Sequence, residues 1–193
     1  NGAREIINSL EKRYATVMEE LFASGEYLAA ARERLSEFFH HLRSFTRDGF
    51  TVTEEKEILA QGELMSTTLM DLYLHEQGFN SVWLPALEFM RTDTDGEADS
   101  DYIAQHLQPM LDSHPDADLF ITQGFICRNS KGEIDNLQRG GSDLTASLIG
   151  GALLAEEIEI WTDIDGMHNN DPRFVEQTEP VHELHFDEAA ELA

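Results

Sequence analysis

The apolar residues of this chain change period once, near residue 80, and that change limits the possible fold more than any single motif does. Before it, segments 3–22, 26–45 and 53–75 carry apolar residues at the three-and-four spacing of an amphipathic helix, with Gly25, Gly49 and Gly78 near their ends. In the third segment Ile58, Gly62, Met65, Leu69 and Leu72 fall on one stripe, and Thr53 ahead of Glu54 and Glu55 reads as an N-cap with acids in the first turn. No strand pattern precedes residue 80. After it, short apolar runs alternate with helical patterns. Strands are expected at 81–84, 118–126, 133–137 and 158–162, and helices at 100–112 and 143–155. Asn129-Ser130-Lys131-Gly132 is a turn, and the polar stretch 93–101 is long enough to be a mobile loop. Strand, glycine corner, helix and strand make a crossover unit, so the class is α/β with a mainly parallel sheet rather than a bundle.

Three groups of polar residues interrupt this pattern. Leu137-Gln138-Arg139-Gly140-Gly141-Ser142-Asp143 stands between a strand and a helix. Paired glycines there let a ligand approach the backbone, the amides of a helix N-terminus favour an anion, and Arg139 can clamp a carboxylate with two parallel hydrogen bonds. The same residues are also compatible with a plain turn in which Ser142 or Asp143 caps the helix. The run Trp161-Thr162-Asp163-Ile164-Asp165-Gly166-Met167-His168, continued by Asn169-Asn170-Asp171-Pro172-Arg173, follows a strand, where open α/β sheets bind ligands; it also reads as an acidic loop ended by Asp-Pro. Glu63 shares a largely apolar helix face with Leu59, Ser66, Met70 and Tyr73. A carboxylate there requires a cation, either an arginine of the chain or a ligand ammonium.

Charge excludes some functions. With 38 Asp+Glu against 13 Lys+Arg the formal net charge is -25, which disfavours nucleic acid and anionic membranes. Only Lys12, Lys56 and Lys131 are lysines, which fits either a surface selected for solubility or adaptation to high salt. The longest charge-free apolar stretch, 144–155, is shorter than the roughly 20 residues of a membrane span, and no basic-then-apolar leader opens the sequence. Cys127 is the only cysteine, so no internal disulfide is expected. A soluble, cytoplasmic protein is the expectation. Because the sheet begins only after three helices and the last helical pattern, 187–193, is cut short, the sequence is expected to be an excised part of a longer chain.

Five ordered segments carry a family likeness: Gln61-Gly62-Glu63-Leu64-Met65-Ser66, Met90-Arg91-Thr92-Asp93, Ile121-Thr122-Gln123-Gly124-Phe125-Ile126, Arg139-Gly140-Gly141-Ser142-Asp143, and Trp161-Thr162-Asp163 through Asp171-Pro172-Arg173. Together they resemble the aspartate kinases of the amino acid kinase family over residues 53–193. The resemblance implies a three-layer α/β/α sandwich preceded by a helical segment, with 1–78 as the helical part and 79–193 as the α/β part of one truncated catalytic domain. It implies ATP-dependent phosphorylation of the L-aspartate side chain to 4-phospho-L-aspartate, for lysine, threonine and methionine synthesis, with Mg2+ held mainly through the phosphates. By the same resemblance Glu63 receives the substrate ammonium, and Arg139 holds a substrate carboxylate. Gly140, Gly141 and Ser142 line that pocket, and Asp143 orients a phosphate-binding lysine. Thr162, Asp163, His168 and Arg173 match nucleotide-contacting positions.

The sequence also departs from the family pattern: Gln138 stands where Gly is usual, Cys127 where Gly is common, and His168 where Tyr is usual. The family's Lys-Phe-Gly-Gly strand, with its phosphate-directed lysine, has no counterpart here, nor has the lysine beyond the Glu-Ala-Ala-Glu helix. The isolated chain is therefore expected to be inactive, while the full-length protein is expected to be an enzyme and a homo-oligomer. A non-catalytic aspartate- or nucleotide-binding relative, or a sister kinase such as glutamate 5-kinase, is the alternative.

Overall fold

Helices α1 (Gly2–Leu21), α2 (Gly25–Ser44) and α3 (Val52–Glu76) occupy the three helical segments. In this computed structural model residues 2–46, 51–162, 166–171, 173–185 and 187–189 are described, and Gly49 lies outside them. The apolar stripes explain the packing: Met18 of α1, Leu35 and Phe39 of α2 and Met65 and Leu69 of α3 are buried in one cluster, with Tyr14 edge-on to Phe39 at 5.7 Å between ring centroids. The rim pairs Arg32–Glu19 and Arg43–Glu11 are surface contacts that contribute little to stability.

The expected cap of α3 is displaced. Thr51, not Thr53, is the N-cap, because only Thr51 has a glutamate three residues on: its hydroxyl accepts from the Glu54 amide at 3.3 Å, while the Glu54 carboxylate accepts from the Thr51 amide at 2.7 Å. Three residues after Thr53 stands Lys56, which cannot close such a box.

Beyond residue 80 the chain is α/β. Strand β1 (Ser81–Leu84) pairs in parallel with β2 (Leu119–Thr122), Ser81 opposite Leu119 and Leu84 opposite Thr122. The crossover between them contains the short α4 (Ala86–Phe89) and α5 (Ser100–Asp112), the latter capped by Asp99, whose carboxylate accepts from the Tyr102 amide at 3.0 Å. A second, antiparallel pair joins β3 (Ile126–Arg128) to β4 (Ile134–Asn136) through the Asn129–Gly132 turn, and α6 (Gly141–Leu153) follows. Leu84, Phe89, Ile103, Leu107, Ile126 and Leu137 are buried in the core these elements share.

Four expectations need correction. The single strand 118–126 is two strands, interrupted at Gly124-Phe125, where Phe125 takes a left-handed φ of 70° that no ladder accommodates. Helix α6 begins at Gly141 rather than Asp143 and ends at Leu153, closed by Leu154 at φ 52°. The polar loop 93–101 is tied down: Asp93 Oδ1 accepts from the amides of Asp95 at 2.8 Å and Glu97 at 3.0 Å, and Thr92 bridges to Ala98. The β-branched run 158–162 is not a strand; Ile160 is 44% and Trp161 86% exposed, and among the described residues no ladder pairs with it, so strand propensity alone forms nothing.

The chain divides into two units, 1–158 and 159–193. Within the second, His168 bridges Pro180, the Val181 amide donates to the Met167 carbonyl at 2.7 Å, and residues 187–189 form a helical turn.

Candidate functional site

The break between β2 and β3 builds one wall of the site. The Ile126 amide donates to the Gly124 carbonyl at 2.8 Å, closing a γ-turn around Phe125, a strained arrangement that persists only where its surroundings fix it. They do: the Phe125 amide donates to Thr145 Oγ1 at 3.1 Å, and its carbonyl accepts from the Leu137 amide at 2.7 Å. Thr145 in turn donates to the Gly141 carbonyl at 2.7 Å, so the turn is fastened to the first turn of α6 and to the exit of β4. A Cβ on Gly124 would lie 2.9 Å from Ser142 Oγ, and one on Gly141 would lie 2.9 Å from Leu137 Cβ and 3.0 Å from the Phe125 ring. Gly124 and Gly141 are thus required by close approach, and Gly140, at φ 77°, by backbone conformation.

Gly140 is the N-cap of α6, and no side chain caps the helix, which removes the reading of Ser142 or Asp143 as a structural cap. The first-turn amides are left to an outside acceptor. Ser142 and Asp143 are exposed, as is Arg139, and Arg139 opens into a cavity of about 710 Å³ lined also by Lys56, Thr92, Glu97, Phe125, Asp135, Asn136 and Gln138. Among the described residues the buried side-chain polar atom without a partner is Thr122 Oγ1, at the carboxyl end of β2, the edge where open α/β sheets place their ligands.

Glu63 lies on the same face of α3 as Lys56, seven residues and about 10 Å further along the axis. It is half-buried, does not line the cavity itself, and pairs with no cation among the described residues. Burial pushes its carboxyl above the usual range; the neighbouring Tyr14 phenol is also raised, chiefly by its own burial and in part by the Glu63 charge. The backbone at Glu63 is held by a relay that the sequence did not reveal. Gln123, fully buried, accepts from the Ala86 amide at 2.8 Å and donates to Thr67 Oγ1 at 2.9 Å. Trp83 Nε1 donates to the same oxygen at 3.0 Å, and the Thr67 hydroxyl donates to the Glu63 carbonyl at 2.8 Å. Gln123 stood inside a quoted motif, but a polar residue after an apolar strand carries no sign of whether it faces core or solvent.

Of the expected nucleotide contacts, Asp163 lies outside the described residues, and Thr162, His168 and Arg173 belong to the second unit. His168 is half-buried, its Nδ1 2.9 Å from Thr178 Oγ1. The Arg173 guanidinium is exposed and grips Asp171 with contacts of 2.7 to 3.1 Å, holding that carboxyl below its usual range. No group of three His, Cys, Asp or Glu converges as a metal site among the described residues. No helix there is long and apolar enough to cross a membrane.

The amino acid kinase family model matches residues 3–193. Lysine-sensitive aspartokinase 3 of Escherichia coli (strain K12) is 41% identical over 140 residues, covering 71% of this chain and 31% of the relative. The aspartokinase of Geobacillus stearothermophilus is 32% identical over 136 residues, covering 70% and 33%. Among solved structures, E. coli aspartokinase III in complex with aspartate and ADP superposes with a TM-score of 0.79 at 29% identity, covering 97% of this chain and 42% of that one. An aspartate kinase from Clostridium acetobutylicum, at 21% identity and a TM-score of 0.74 over 97% of this chain and 39% of its own, shares the fold. The chain therefore spans about a third of the length of these two curated relatives.

Proposed function

The chain belongs to the amino acid kinase family, and from that premise we propose that the protein carrying it phosphorylates the side-chain carboxylate of L-aspartate with ATP, giving 4-phospho-L-aspartate and ADP. The observation that carries this reading is the α6 corner, where the Arg139 fork opens into one polar cavity directly ahead of a helix that no side chain caps. Aspartokinase relatives, one of them solved with aspartate and ADP, support it. A carboxylate nucleophile is already ionised at neutral pH, so the protein need not supply a general base. Its work is placement and neutralisation of charge. In the reaction an oxygen of the aspartate side chain bonds to the γ-phosphorus as the bond to the β,γ-bridging oxygen breaks.

The residues take roles accordingly. Arg139 holds a substrate carboxylate, Glu63 accepts the substrate ammonium, and Gly140, Gly141 and Ser142 shape the pocket. Asp143 orients a lysine directed at the phosphates, and Thr162, Asp163, His168 and Arg173 contact the nucleotide. Since Arg173 already grips Asp171, a nucleotide phosphate must share that fork or displace the carboxylate. Among the described residues no three carboxylate, His or Cys side chains converge on a metal, so in this reading magnesium is an ion carried mainly by the nucleotide phosphates, where it would neutralise their charge. The product feeds lysine, threonine and methionine synthesis in the cytoplasm, and the full-length protein is a homo-oligomer in this reading.

The test is ADP formation by the full-length protein with L-aspartate, L-glutamate or no acceptor. Acceleration by L-aspartate alone is expected. Preference for L-glutamate would make the protein a sister kinase, and binding of aspartate without turnover would make it a non-catalytic relative.

A further inference from the structure

The cavity contains a polar clip that none of the assigned roles uses. Lys56 Nζ on α3 is 2.5 Å from Asp135 Oδ1 on β4, and the next residue, Asn136, donates from Nδ2 to the Lys56 carbonyl at 3.1 Å. Both the charge and the backbone of one α3 residue are therefore fastened to two consecutive residues of β4. Asp135 is only 18% exposed at its side chain and faces Cys127 across the hairpin, whose thiol burial and the Asp135 charge push up to about 12. A lysine withdrawn from Asp135 would leave that carboxylate uncompensated at the edge of the core.

The position of this clip gives it a role. Asp135 and Asn136 lead directly into Leu137, whose amide is bonded to the strained Phe125, and then into Arg139. Lys56 shares an α3 face with Glu63. The clip thus joins the helix that carries the proposed ammonium grip to the strand that leads into the proposed carboxylate grip. Ala60 of α3 and Leu137 belong to one buried apolar cluster, but burial of that kind is non-directional and fixes no register along the helix.

We propose that Lys56 and Asp135 are positioning residues: their ion pair, with the Asn136 bond, sets where Arg139 stands relative to Glu63 and so determines affinity for the amino acid substrate. This rests on the aspartate kinase reading above. Neither residue touches substrate in this role.

The experiment compares full-length wild type with Lys56→Met, Asp135→Asn, Lys56→Arg and the exchanged pair Lys56→Asp/Asp135→Lys. Steady-state constants are measured for both substrates, with amide hydrogen exchange at Leu137 and melting temperature. The single neutral variants should raise KM for aspartate about tenfold, with kcat and KM for ATP changed less than about twofold. Lys56→Arg and the exchanged pair should return most of the loss, and exchange at Leu137 should quicken in the neutral variants only. An unchanged aspartate KM with a lowered melting temperature would show a clip that holds the fold alone, and a parallel rise of both KM values would overturn the proposal equally. Unaltered exchange at Leu137 would do so whatever the kinetics. If wild type forms no more ADP with L-aspartate than without, the functional reading fails instead, and the exchange data still decide whether the clip fixes the corner.

Discussion

Residue type and spacing single out Glu63 and Arg139 as candidates, but do not disclose what surrounds them. A periodic pattern shows that a carboxylate sits on an apolar face; it does not show whether an arginine of the chain is waiting there. None is, among the described residues, and the carboxyl is pushed up by burial. An acid with a raised folded value contributes stability in its protonated form, present below the unfolded value and lost as pH rises through the folded one. Glu63→Gln should therefore melt no lower than wild type near neutral pH, and any advantage should vanish towards about pH 4. Its KM for aspartate should rise, since the ammonium loses its counter-charge. A lower melting temperature at neutral pH would reveal an internal pair instead. Arg139→Ala should weaken aspartate use by about 2 kcal/mol, or about thirtyfold, with ATP affected much less. Arg139→Lys keeps the charge but not the fork, and should recover only part of that loss. Equal losses for the two substrates would mark Arg139 as a structural residue.

Among the elements, those with strong periodicity emerged as the sequence implied, and the errors fell where a local conformation or a partner decides. Nothing in Gln-Gly-Phe-Ile foretells that Phe rather than Gly takes the positive φ, because the cost is met by Thr145 and Leu137, far along the chain. Nor does a run of Ile and Trp at 158–162 disclose that, among the described residues, no ladder pairs with it. The cap of α3 is a sharper case. Acids following a threonine suggested Thr53, whereas the capping box needs its glutamate three residues on, and Thr51 alone satisfies that. Thr51→Ala should cost about 1 kcal/mol in denaturant unfolding and Thr53→Ala close to nothing. The Glu54 carboxyl is held below its usual range by the Thr51 amide and hydroxyl, so its contribution is present above the unfolded value and lost as pH falls through the folded one. The gap between wild type and Thr51→Ala should narrow on acidification. At the other corner, Gly141→Ala places a methyl 2.9 Å from Leu137 and 3.0 Å from Phe125, and should destabilise by about 1 to 3 kcal/mol while disturbing the substrate pocket. An alanine variant of full stability and normal aspartate KM would show that the turn and the helix can separate without consequence.

At the scale of the whole molecule the dominant fact is charge. Thirty-eight acids against thirteen bases leave a net charge of -25, and the arginine and lysine ion pairs among the described residues engage few of those acids: Arg32–Glu19, Arg43–Glu11, Lys56–Asp135 and Arg173–Asp171. Salt acts on both sides of that balance. It weakens the exposed pairs, each of which contributes little, and it weakens a repulsion summed over many acids, so the second effect prevails. The melting temperature should rise with potassium chloride. Two mechanisms can produce such a rise, and they differ in shape. Screening follows the Debye length, which shrinks from about 30 Å at 0.01 M to about 3 Å at 1 M, so most of its gain is complete well below molar salt. Preferential exclusion of a cosolute from the surface keeps increasing with concentration and is shared by uncharged sucrose. A steep early rise in potassium chloride that sucrose does not reproduce would identify self-repulsion as the term that salt relieves, and would favour adaptation to a saline interior. A melting temperature flat from low to molar salt would leave solubility as the reason for the acidity, because repulsion too weak to be screened is too weak to have been selected against.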